Sequence, residues 1–144
     1  MKDRNRTRDP GPLSGALLIA LVLYVAASFI HHAHNARFLL AYPNMPEGLS
    51  SLGIYSAWAV VTLVGVVGVV LLRKGFEGPG LMTLAIYGAC GLYGLAHYVV
   101  ADFTALTAAM HATIWFEVLS GSSLIVLSMR NAMRSLRQRT PSLR

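Results

Sequence analysis

The chain has 144 residues, 55% of them hydrophobic and 12% charged, with a mean hydropathy of +0.56 and a net charge of +6. A soluble domain carries about a quarter of its residues as Asp, Glu, Lys and Arg, so half that share leaves too little polar surface for a water-solvated globule. The basic excess is confined to the two chain ends and one short loop, a placement that orients a membrane protein and argues against nucleic acid as a partner.

Lys2, Arg4, Arg6 and Arg8 open the chain, ahead of an apolar run that ends in Ser28-Phe29-Ile30-His31-His32 with no small-x-small cleavage site. The run therefore reads as a retained first span, residues 12–35, and not as a cleaved signal peptide. Pro12 suits its first turn, where the missing N–H costs nothing. Tyr24, Ser28, His31 and Asn35 are spaced to draw one polar stripe along a single helix face.

Residues 36–52 form the expected outer loop. Arg37 to Tyr42 is amphipathic, and Pro43 and Pro46 then break any helix. The loop reads as a plain connector, with a lid over the outer end of the bundle as the alternative. The second span is expected over residues 53–72, with Tyr55, Trp58 and Thr62 on one face. The third is expected over 79–101, where an α-helical period groups Cys90, Tyr93 and His97. Cys90 has no partner for an internal disulfide. The fourth is expected over 105–129, with His111 and Trp115 on one face and Thr113, Glu117 and Ser120 on another about 120° away.

The sequence thus predicts an all-α fold, a four-helix transmembrane bundle forming one membrane domain over residues 1–144. Basic tails are expected at 1–11 and 130–144, the latter either solvated or extending the last helix toward anionic headgroups. With four spans, the tails and the loop holding Arg73 and Lys74 share one side, and Arg37 alone of the basic residues lies on the other. This asymmetry predicts that the N-terminus and C-terminus are cytoplasmic, in a bacterial inner membrane.

On that topology His31, His32, His34, His97 and His111 all fall in the outer third of the bundle, and Glu117 near the middle of the bilayer. Ionisable groups at membrane depth are costly and mark functional sites, and imidazole is the commonest metal ligand. The expectation is a transition metal (Fe, Cu or Zn) held by His31, His97 and His111, with His34 as fourth ligand and Glu117 as a deeper carboxylate. His31-His32-Ala33-His34 has neither the Glu-x-x-His spacing of di-iron carboxylate bundles nor a desaturase histidine box. As an enzyme or redox subunit, such a protein would act on a lipid-soluble substrate or quinone entering between helices. One alternative is a haem b-binding electron-transfer protein with His31 and His97 as axial ligands. The other is a cofactor-free accessory or transport subunit, with Glu117, Thr113, Ser120, Ser122 and Ser123 as a polar path. Small residues such as Gly65 with Gly68, Ala85 with Ala89 and Gly91 with Gly94 suit close helix packing, as in a homo-oligomer or with a partner subunit.

Overall fold

Ser14, Ser50 and Thr107 each stand one residue or less outside a helix start and accept a hydrogen bond from the backbone N–H three residues on, so each begins a helix by capping it. The computed structural model describes residues 13–139, and no strand occurs among them. Helix α1 covers Gly15–Arg37, α2 Ser51–Arg73, α3 Glu77–Cys90, α4 His97–Val100 and α5 Ala108–Arg139. Short 3-10 segments lie at Leu39–Ala41, Gly91–Ala96 and Phe103–Ala105. Because α3, the 3-10 segment Gly91–Ala96 and α4 run on without a break, they form one span. Four helical segments are then long and apolar enough to cross a membrane: Gly15–Arg37, Ser51–Arg73, Glu77–Val100 and Ala108–Gln138.

The distribution of polarity is inverted relative to a water-soluble bundle. Leu18, Ile19, Val22, Val60, Leu63 and Leu119 are exposed, whereas Ser28, His31, Asn35, Glu117, Ser120 and Ser128 are buried. Water would impose the opposite arrangement, while lipid rewards it, since hydrocarbon solvates the aliphatic surface and rejects the carboxyl and imidazole.

One end of the bundle carries the start of α1, the end of α5 and the α2–α3 turn. There Asn131 Nδ2 donates to Ser14 Oγ at 3.4 Å, and Ser135 Oγ donates to Glu77 Oε2 at 2.6 Å. The turn itself closes α2: Gly75 has φ +85°, Gly75 N–H donates to Leu72 O, and Phe76 N–H donates to Leu71 O. This paired bonding past a left-handed residue is the Schellman arrangement, which glycine adopts without Cβ strain. Small residues let the helices approach closely. A Cβ on Gly121 would stand 2.5 Å from Gly88 O, so α3 and α5 touch backbone to backbone.

Three expectations about the last two spans change. The last span starts at Ala108 and not at 105, because Leu106 is extended (φ −93°, ψ 141°) and Thr107 supplies the cap. It also continues to Arg139, ten residues beyond the apolar stretch, since Arg, Met, Leu and Gln are good helix formers whatever solvent surrounds them. The α-helical winding expected for the whole third span is replaced by 3-10 winding over Gly91–Ala96. Pro12, the tail 1–11 and residues 140–144 lie outside the described residues.

Candidate functional site

The site is built on the polar stripe of α1. Tyr24, Ser28, His31 and Asn35 are all buried, so the face read from the sequence is the face turned inward. Opposite it on α5 stands Glu117, 3% exposed. Its carboxylate lies between two imidazoles, with Oε2 3.7 Å from His31 Nε2 and Oε1 3.8 Å from His32 Nδ1. His32 is fixed by its Nδ1–H, which donates to Ser28 O at 2.8 Å.

The third span supplies His97. With three residues per turn, Gly91, Gly94 and His97 fall on one face. A Cβ on Gly94 would meet Glu117 Oε2 at 3.4 Å, and one on Gly91 would meet the Tyr24 ring at 2.7 Å. The two glycines thus make the room in which Tyr24 and the Glu117 carboxylate sit, and one turn later the same face presents His97. The His97 and His31 rings lie 5.4 Å apart, edge to face. Between them is the Asn35 amide, whose Nδ2 is 3.0 Å from His31 Nε2 and 3.3 Å from His97 Nε2. An amide nitrogen only donates, so both imidazoles present Nε2 lone pairs to it. Each then carries its proton on Nδ1. His31 Nδ1 and Asn35 Oδ1 are buried with no hydrogen-bond partner.

The outer loop closes this end. Tyr42 is 4% exposed; its ring packs 5.0 Å from that of His97, and its hydroxyl is 2.7 Å from His34 Nδ1. Burial pushes the Tyr42 phenol up to about 12. Asn44, at φ +56°, donates through Nδ2 to Val100 O at 2.7 Å and pins the loop to the third span. Leu106, Met110, Ile114 and Val118 pack with Tyr42 beneath the loop.

Of the sequence-derived candidates, His31, His97 and Glu117 come together. His34 turns to Tyr42 instead, and His32, next to His31 in the chain, faces Glu117. His111 stands apart: Tyr98 OH is 2.8 Å from its Nδ1, and the Phe103 ring stacks 4.1 Å from it. Six residues separate His111 from Glu117, which in an α-helix is a 120° turn, so the two cannot face one centre. Tyr93 is 82% exposed, because 3-10 winding turns it away from the face of His97. Thr113, Ser120 and Ser123 donate to carbonyls of their own helix, a common habit of hydroxyls at membrane depth.

Asn35 and Tyr42 are the participants that sequence reasoning passed over. Asn35 was visible on the α1 stripe, but its role as a bridge between two helices was not. Nothing local marks Tyr42. Among the described residues no group of three or more His, Cys, Asp and Glu side chains is already set to hold a metal ion. Compared with known proteins, the chain matches no family model, no curated protein and no solved structure.

Proposed function

We propose that this is an integral membrane protein that holds a transition-metal ion at one end of its bundle, through His31, His97 and Glu117, with His32 beside the carboxylate. One observation carries the reading. Two imidazole lone pairs converge on the single amide nitrogen of Asn35, and a buried carboxylate stands 3.7 Å from one of them. Two imidazole nitrogens and a carboxylate brought close together out of water are what a cation requires. The amide nitrogen marks the place where such an ion would bond. Binding would require the Asn35 side chain to turn aside and the ligand side chains to close in by about 1 Å, since metal–nitrogen bonds are about 2.1 Å long and the amide nitrogen stands 3.0 and 3.3 Å from the two imidazoles.

The donor set of neutral nitrogens and one carboxylate suits Zn, Fe or Cu. A metal bound there would supply Lewis acidity or a polarised water to a lipid-soluble substrate. A bis-histidine haem fits less well. The His31 and His97 rings touch edge to face with the amide between them, and a planar macrocycle would have to part the helices to enter. The charge asymmetry supports cytoplasmic tails in a bacterial inner membrane, which puts the site at the periplasmic face under the Tyr42 loop.

The test is elemental analysis and cobalt(II) titration of the tag-free protein in mild detergent. Near-stoichiometric metal, or the visible bands of bound cobalt(II), is expected, with loss to background in His31→Ala and Glu117→Gln. A protein that holds no metal and takes up none would overturn the reading.

A further inference from the structure

The seam between α1 and α2 holds a groove with a cavity volume of about 240 Å³. It is on the lipid-facing side of the bundle and separate from the histidine cluster. Leu21 and Val25 of α1 and Val66 and Val69 of α2 form its walls, and the ring of Tyr87 forms its floor. Gly65 lets the Tyr87 ring pack directly against α2, since a Cβ there would stand 2.6 Å from that ring. Along α2 the lining runs from Thr62 to Arg73, a spacing of eleven residues, or about 16 Å at the helical rise.

That length is half of the roughly 30 Å hydrocarbon core. The groove therefore spans one leaflet, with its blind end near the bilayer midplane and its mouth at the end of the bundle that carries the α2–α3 turn. Arg73 stands at the mouth, exposed, with Lys74 next to it. No described residue forms an ion pair with Arg73. An apolar slot one leaflet deep, closed by an unpaired guanidinium at headgroup level, has the shape and charge of one particular occupant. We infer that the groove binds a single anionic phospholipid of that leaflet, with an acyl chain laid along Val66 and Val69 and the phosphate on Arg73. A guanidinium matches phosphate oxygens in a bidentate fork, and a net negative headgroup adds long-range attraction that a zwitterion lacks.

The experiment is native mass spectrometry of the full chain in mild detergent, titrated with phosphatidylglycerol or with phosphatidylcholine of identical acyl chains. One phosphatidylglycerol per chain is expected, held about fivefold more tightly than phosphatidylcholine. Arg73→Gln should remove that preference and Arg73→Lys should restore most of it. Val66→Trp, which fills the slot from an exposed position, should release both lipids. Equal retention of the two lipids by the unaltered protein, or undiminished phosphatidylglycerol binding by Arg73→Gln, overturns the inference. Both results are independent of metal content, which the same spectra report separately.

Discussion

At the scale of single residues, the cluster is held by groups that each serve two neighbours. Glu117 lies between His31 and His32, and Asn35 bridges His31 and His97. Tyr42 joins His34 to His97 from above. Removing only its hydroxyl should cost little: Tyr42→Phe keeps the ring against His97 and is expected to lower stability by about 1 kcal/mol. Tyr42→Ala empties a packed position and should cost about 3–5 kcal/mol, measured as denaturation in a fixed detergent. Equal effects from the two variants would mean that the ring carries no packing. The pH dependence follows from the raised phenol. Unfolded chains ionise this tyrosine near 10 and the folded protein near 12, so the loop contribution is complete below pH 10 and is lost as pH climbs from 10 to 12. The α1 stripe was legible in the sequence because a regular helix repeats its faces without error. The same arithmetic separates His111 from Glu117, and applying it strictly would have removed His111 from the ligand set.

At the scale of elements, the third span decides the geometry of the site. Gly91, Gly94 and His97 sit at three-residue spacing, which lines up straight where the helix winds three residues per turn and drifts by about 60° per step in an α-helix. Hydropathy does not distinguish the two windings, so the span was legible while the orientation of Tyr93 and His97 within it was not. Gly91→Ala should clash with the Tyr24 ring at 2.7 Å and lower stability by about 1–3 kcal/mol. Its control is Gly78→Ala, where no atom lies within 4 Å of the added Cβ. A Gly91→Ala protein as stable as the control would show that the ring yields freely. The loop between α1 and α2 was the least legible element. Its prolines announced a turn, but the insertion of Tyr42 depends on contacts with the third and last spans that no local pattern encodes.

At the scale of the whole molecule, four apolar segments and one-sided basic charge were enough to specify the bundle, because a bilayer permits few alternatives to helices packed side by side. The side of the membrane can be read directly. Cys90 is the only cysteine, so Cys90→Ala gives a background for single labels at Glu47→Cys and Lys74→Cys, both exposed positions. An impermeant maleimide added to intact cells should label the first and reach the second only after permeabilisation. The reverse pattern would invert the proposed orientation and move the histidine cluster to the cytoplasmic face.

The 3-10 stretch also sets the length of the third span. A residue rises about 2.0 Å in that winding against 1.5 Å in an α-helix, and turns about 120° against 100°. Rewound as α-helix, the six residues of Gly91–Ala96 would shorten by about 3 Å and swing His97 around the axis by about 120°. Stretching and twisting are then a single motion, as in a screw. A thicker bilayer favours the longer winding, which is the one that points His97 at His31. A change of winding would therefore couple the length of the third span to the approach of His97 to His31.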